Sequence, residues 1–205
     1  MFETLQYISQ GATAAEQLDN ITLALDGGCR WIQLRFKDAS FETIAQLSVH
    51  VKARCAAYAA TLIINDHPSV ASSVDADGVH LGLSDMPVEA AKKILGPGKI
   101  IGGTANTLED VVRRVEERCH YVGLGPLRFT QTKEKLSPIL GIDGYRRILS
   151  ELKQLGISIP IYAIGGVIPS DLPHLREAGV YGVAVSGIIT HYPDKEKIIK
   201  QLCLH

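Results

Sequence analysis

Residues 159–187 read IPIYAIGGVIPSDLPHLREAGVYGVAVSG, and the order of signals in this stretch decides the fold. An apolar run without alternation, Ile159–Ile164, leads through Gly165-Gly166 into a segment of helical periodicity, Pro169–Ala178. Pro169 and Ser170 open that segment, Gly179 closes it, and the chain then drops into a second non-alternating run, Gly182–Ser186. Proline suits the first turn of a helix because the N–H it lacks would have no partner there. Glycine past the last turn accepts the left-handed backbone that ends a helix. Strands that do not alternate are buried on both faces, as in a parallel sheet covered by helical crossovers. The stretch therefore reads as strand, helix, strand, with the two strands parallel.

The same rhythm extends back to the N-terminus. Further strand-like runs lie at Leu5–Ser9, Trp31–Phe36, Leu62–Asn65, Gly78–Leu81, Lys99–Gly103 and Tyr121–Leu124. Helical segments lie at Ala12–Leu25, Phe41–Tyr58, Pro87–Leu95, Leu108–Arg118, Gly144–Leu155 and Asp194–Leu202. Only the interval from Asp66 to Asp77 is too short for more than a brief helix. Ser40 before Phe41, and Thr107 before Leu108 with Asp110 three residues on, are helix-start signals. Seven full strand–helix units and one abbreviated one share 205 residues, about 26 each, close to the minimum for a strand, two loops and a crossover helix. Eight units predict a single (β/α)8 barrel spanning residues 1–205. The alternative, an open doubly wound sheet, lacks support because no dinucleotide fingerprint follows a strand. No linker, low-complexity tract or charge block divides the chain. The longest nonperiodic stretch, Gly125 to Asp143, is of a length that in a compact barrel is usually functional or mobile.

Composition excludes several classes. Lys plus Arg total 21 against 22 for Asp plus Glu, a net charge of -1, so a general nucleic-acid surface is not expected. Cys29, Cys55, Cys119 and Cys203 show no CxxC or zinc spacing and are expected to be free thiols. The start, MFETLQYISQG, lacks a basic n-region followed by an apolar h-region, so no signal sequence is expected, and no apolar run reaches the ~18 residues of a membrane helix. A cytoplasmic enzyme without membrane contact is the expectation.

In a (β/α)8 barrel chemistry sits at the C-terminal strand ends, so polar residues there are the candidates. Strand two ends Gln33-Leu-Arg35-Phe-Lys37. Period-two alternation would put Gln33, Arg35 and Lys37 on one face, two cations and an amide suited to a phosphate-bearing substrate. Strand three ends at Asn65-Asp66-His67-Pro68 and strand four runs on to Ser84-Asp85. Carboxylates from adjacent strand ends, Asp66 and Asp85, facing two cations are what a Mg²⁺–polyphosphate site requires. His80 lies mid-strand and reads as a packed core histidine rather than a general base. Thr104 lies at the mouth of strand five, and Thr130, Thr132 and Lys133 in the long loop could close over a phosphate. After strands seven and eight, Gly165-Gly166 and Val185-Ser186-Gly187 mark where barrels often bind a phosphate monoester on backbone N–H groups. Two anion sites of different character suggest a transferase joining two phosphorylated small molecules.

These motifs, taken with Asp77-Gly-Val-His80-Leu-Gly-Leu-Ser-Asp85, Tyr121-Val-Gly-Leu-Gly-Pro126 and Ile164-Gly165-Gly166, resemble in content and order those of the thiamine-phosphate synthase family, over nearly the whole chain. The resemblance implies a (β/α)8 barrel that condenses 4-amino-5-hydroxymethyl-2-methylpyrimidine diphosphate with 4-methyl-5-(2-phosphoethyl)thiazole, or its 2-carboxy form. The products would be thiamine monophosphate and pyrophosphate, with Mg²⁺ as cofactor. By resemblance Gln33, Arg35 and Lys37 would hold the pyrimidine diphosphate with Asn65 beside it, Asp66 and Asp85 would ligate Mg²⁺, and Thr104 would serve the diphosphate. Thr130 and Thr132 would bind the thiazole phosphate, Lys133 would reach the diphosphate, and Gly166, Val185 and Ser186 would complete the phosphate cup. Arg35, Lys37 and Lys133 would then carry the catalytic charge, and a homodimer is an assembly the family often forms. Two positions depart from the pattern: His67 stands where the family usually has Arg, and Leu83 where it commonly has Gln. The related thiazole tautomerase typically lacks the Lys of Gln-x-Arg-x-Lys and parts of Thr-x-Thr-Lys, both present here. A noncatalytic phosphate-ligand sensor is the other reading of the same fold.

Overall fold

Eight parallel strands close on themselves in chain order, β1 through β8, with β8 pairing back onto β1. They are β1 (Leu5–Ile8), β2 (Trp31–Leu34), β3 (Thr61–Asn65), β4 (Gly78–Leu81), β5 (Ile100–Ala105), β6 (Tyr121–Leu124), β7 (Ile161–Ile164) and β8 (Gly182–Val185). The computed structural model describes residues 2–37, 39–129 and 138–203. The predicted (β/α)8 barrel is the fold.

The covering helices are α1 (Ala14–Asp26), α2 (Phe41–Ala57), α3 (Pro68–Ser73), α4 (Val88–Leu95), α5 (Leu108–Glu116), α6 (Gly141–Gln154), α7 (Leu172–Glu177), α8 (Gly187–His191) and α9 (Lys195–Leu202). Their starts follow local chemistry. Ser40 caps α2 by accepting from Thr43 N, and Thr107 with Asp110 forms a capping box on α5. The helix read from Ala12 begins at Ala14 because Thr13 is its cap, accepting from Glu16 N at 3.1 Å. The predicted helix Pro169–Ala178 divides into a 3₁₀ turn, Pro169–Asp171, and α7. Pro173 has no N–H to give the carbonyl of Pro169, which accepts from Leu172 instead, the tighter pattern of a 3₁₀ turn. The short helix α8, directly after β8, is an element the periodicity did not mark.

Two apolar regions hold the molecule. One lies between barrel and helices, where the inner faces of α1, α2, α4 and α6 meet the outward side chains of the strands. The other fills the N-terminal end of the barrel with Trp31, Ile63, Tyr121, Tyr162 and Ala184, joined by Phe2 and Tyr181. Phe2 stacks on Trp31 at 5.2 Å, and Trp31 meets Tyr121 and Tyr162 edge-on, each at 5.0 Å. The hydroxyls of Tyr162 and Tyr181 donate to the carbonyls of Glu3 and Phe2, both at 2.6 Å, fixing the N-terminal segment across this floor.

The floor admits no side chain at Gly102, where a Cβ would lie 2.1 Å from the Tyr121 ring. A fully buried ring wedged among the rings of Phe2, Trp31, His80 and Tyr162 cannot withdraw. Gly102→Ala is therefore expected to cost about 2–3 kcal/mol, lowering the melting temperature by roughly 4–12 °C in a domain of this size, as calorimetry would show.

The cysteines are free thiols, as expected. Burial pushes Cys29 up to about 11, Cys55 to about 12 and Cys119 to about 11, so these thiols stay protonated and unreactive near neutral pH. Among the described residues no helix is long and apolar enough to cross a membrane.

Candidate active site

Two adjoining cavities open at the C-terminal ends of the strands. The larger, about 450 Å³, is lined by Gln33, Arg35, Asn65, His80 and Thr104 on one side and by residues 164–168 and 184–188 on the other. The smaller, about 370 Å³, is lined by Leu34, Phe36, Lys37, Asn65, Asp66, His67 and Asp85. Asn65 belongs to both walls and accepts from Gln33 Nε2 at 3.0 Å.

The last ladder residue of β2 is Leu34, opposite Ile64, so Arg35 and Lys37 follow the strand rather than continuing it. This corrects the single face expected for Gln33, Arg35 and Lys37: Gln33 and Arg35 face the larger cavity, and Lys37 the smaller. The backbone of Arg35 is pinned at both ends. Its N–H donates to Ser9 Oγ at 2.9 Å, and its carbonyl accepts from Gln17 Nε2 at 3.2 Å, an amide that also holds Gly11 O at 3.0 Å.

Asp66 has φ of +62°, a left-handed conformation that Asp and Asn tolerate better than most residues. The bend places consecutive side chains at different duties, Asn65 in the shared wall and Asp66 in the smaller cavity. Asp66 N donates to His80 O at 2.9 Å, anchoring the bend on β4. Asp85 closes a turn, its Oδ2 accepting from Gly82 N at 2.6 Å. Burial, then a hydrogen bond and charge from Asp85, push the Asp66 carboxyl up to about 7, although Lys37 and Arg35 pull it down. The neighbouring Asp85 thus disfavours the charged form of Asp66, an effect that a bound cation would offset. Their oxygens, with room for water and substrate oxygens, suit a hard cation such as Mg²⁺. Among the described residues no group of three or more His, Cys, Asp or Glu side chains gathers to hold a metal, here or elsewhere, so this pair would depend on substrate and water oxygens to complete a cation's shell.

The other wall carries almost no charge. Gly165 and Gly166 both have positive φ, and a Cβ on Gly165 would lie 2.5 Å from that of Pro126. Val185, Ser186 and Gly187 complete this side, where the first N–H groups of α8 have no intrahelical acceptors. Arg128 braces the cup from behind. Its two guanidinium nitrogens each reach a carboxylate oxygen of Asp171 at 2.7 Å, and Nη1 also donates to the carbonyl of Gly166.

Burial alone would raise the Asp171 carboxyl, but Arg128 and the Ile168 N–H hold it below the ordinary carboxylate value. A lowered pKa stabilises the fold above the unfolded value near ~4, and that gain is lost as pH falls through the folded value. Arg128→Ala is expected to cost about 1 kcal/mol at pH 7, modest because the Arg128 side chain is 42% exposed. The deficit should shrink below about pH 4, and urea unfolding at pH 7 and pH 3 would measure the difference.

A family match covers residues 5–189 and is described as thiamine monophosphate synthase. The chain belongs to the thiamine monophosphate synthase family. A thiamine-phosphate synthase of Flavobacterium johnsoniae is 53% identical over 202 residues, covering 98% of this chain and 95% of the relative. One from Bacteroides fragilis is 45% identical over 199 residues, covering 97% and 98%. The solved structure of a thiamine phosphate pyrophosphorylase from Pyrococcus furiosus superposes with a TM-score of 0.84 at 30% identity, over 97% of this chain and 93% of the other.

Against this thiamine monophosphate synthase frame, Gln33, Arg35, Asn65, Thr104, Gly166, Val185 and Ser186 line the larger cavity, while Lys37, Asp66 and Asp85 line the smaller. Thr130, Thr132 and Lys133 lie outside the described residues. Of the two departures, His67 lines the smaller cavity against the edge of Phe41, and Leu83 is an exposed side chain. Sequence reasoning missed Gln6, Gln10 and His191 in the larger wall. The first carried a signal: Gln6 shares the period-two face of β1 with Ile8, whereas Gln10 lies beyond the strand. His80, read as a core histidine, is buried but also faces the cavity. Its Nδ1 lies 3.1 Å from Tyr121 Oη and its Nε2 3.0 Å from Thr104 Oγ1.

Proposed function

We propose that this protein condenses the pyrimidine diphosphate with the thiazole phosphate, or its 2-carboxy form, to give thiamine monophosphate and pyrophosphate. The observation that carries this reading is the pair of cavities sharing Asn65, one with two carboxylates and Lys37, the other with an uncharged glycine cup. Two differently charged phosphorylated molecules can thus meet across one side chain.

The diphosphate lies toward Lys37 and Arg35, and Asp66 and Asp85 are the residues that would hold Mg²⁺ beside it. When bound, Mg²⁺ supplies positive charge to the departing diphosphate. The thiazole phosphate lies against Gly166, Val185 and Ser186, with Thr130 and Thr132 the further residues expected to bind it, while Gln33 holds the pyrimidine diphosphate and Asn65 sits beside it. The bond between the pyrimidine methylene and the diphosphate oxygen breaks, and its electron pair leaves with pyrophosphate. The amino-substituted ring spreads the resulting positive charge, and the thiazole nitrogen forms the new C–N bond. No protein nucleophile takes part. Arg35, Lys37 and Lys133 act by position and charge on the leaving group.

The test mixes both substrates with Mg²⁺ and follows thiamine monophosphate and pyrophosphate together. Equal appearance of the two is expected. Folded protein giving no product at saturating substrates would overturn the assignment.

A further inference from the structure

A line of hydrogen bonds crosses the barrel interior from β1 to the cavity wall, and its polarity can be worked out from its far end. Gln6 is buried, and its Nε2 lies 3.2 Å from Tyr121 Oη. An amide nitrogen donates and does not accept, so the phenol oxygen receives this bond and has one proton of its own to place. His80 Nδ1, 3.1 Å away, is the ring nitrogen beside it. If Nδ1 accepts, the neutral imidazole carries its proton on Nε2, which lies 3.0 Å from Thr104 Oγ1. Thr104 then accepts from His80, and its own hydroxyl proton is left for a partner on the cavity side, where the residue is half-buried.

We propose that Gln6, Tyr121 and His80 form a positioning relay that fixes the Thr104 hydroxyl as a hydrogen-bond donor into the cavity, directed at an anionic oxygen of the diphosphate substrate. The relay rests on the synthase reading for its ligand but not for its polarity. A threonine hydroxyl left to rotate would present a lone pair or a proton with similar ease. Accepting from His80 biases it toward donation, and a fixed donor stabilises charge that grows on the leaving oxygens without reorganising at the moment of reaction. The same bonds occupy both imidazole nitrogens. His80 therefore offers no free lone pair to a cationic methylene in the cavity it lines, and its role is positioning rather than proton transfer.

Two readouts separate this from a purely structural role. The first is a two-bond ¹H–¹⁵N spectrum of histidine-labelled protein without substrate, with the His80 signals assigned by their loss in His80→Gln. A neutral ring protonated on Nε2 is expected, and a shift toward mixed tautomers in Tyr121→Phe, which removes only the hydroxyl. A ring protonated on Nδ1 in the wild type reverses the relay and overturns the inference. The second readout is kinetic. Tyr121→Phe is expected to lower kcat about tenfold while each KM stays within about threefold, and to change kcat less than about twofold when Thr104 is already Ala. An undiminished tenfold loss in the Thr104→Ala background, or no loss in the wild-type background, overturns it. If the wild type makes no product the synthase assignment fails on its own, and the tautomer spectrum still decides the relay.

Discussion

Asp66→Asn is expected to lower Mg²⁺-dependent turnover by about a hundredfold or more, equivalent to ~3 kcal/mol of transition-state stabilisation. Asparagine is the informative replacement. It tolerates the left-handed backbone at φ +62° and keeps nearly the same volume, so the bend after β3 survives while the charge proposed to hold Mg²⁺ is lost. Alanine at this position would confuse strained backbone with lost ligation. The metal-free carboxyl is held partly protonated by burial and Asp85, so the fold gains little from its charge. Thermal stability should therefore stay near that of the wild type while the rate collapses. A Mg²⁺ titration of steady-state rates checks this, and normal turnover with unchanged Mg²⁺ dependence would show that Asp66 is not a metal ligand.

Arg35→Ala is expected to have an effect of similar size, about a hundredfold in the chemical step. Its guanidinium is always charged and lies close enough to Asp66 to pull on that carboxyl, as does Lys37 from the neighbouring cavity. Because Ser9 and Gln17 pin its backbone, the side chain leaves a fixed point, and truncation should remove charge without loosening the loop. Arg35→Lys should recover only part of the rate, since an ammonium cannot reproduce a planar fork. Single-turnover measurements with both substrates bound report the chemical step directly. A loss confined to KM would place Arg35 in ground-state binding alone.

Most of the fold was legible because each strand–helix unit carries its own turn chemistry, and eight such units leave little choice of architecture. The site was legible where it follows from strand ends: Asn65 and Asp66 before Pro68, Asp85 after β4, and the glycines after β7. It was not legible where a strand stops. Period-two alternation applies only while the ladder continues, and no residue between Leu34 and Lys37 announces that β2 has ended, so the division of Arg35 from Lys37 emerges only from the pairing register. Gln6 was passed over because an apolar run draws attention to its apolar members. Yet a glutamine within a strand of a closed barrel must point inward or outward, and inward means a buried amide in need of a partner. The helix α8 is too short for periodicity to register, and Pro173 disguised the division of the segment before β8.

The aromatic floor of the barrel has a consequence for traffic. Phe2, Trp31, Tyr121 and Tyr162 interlock at the N-terminal end, and the N-terminal segment is tied across them by Tyr162 and Tyr181. The vessel is stoppered at one end, so both reactants arrive and both products depart through the same neck.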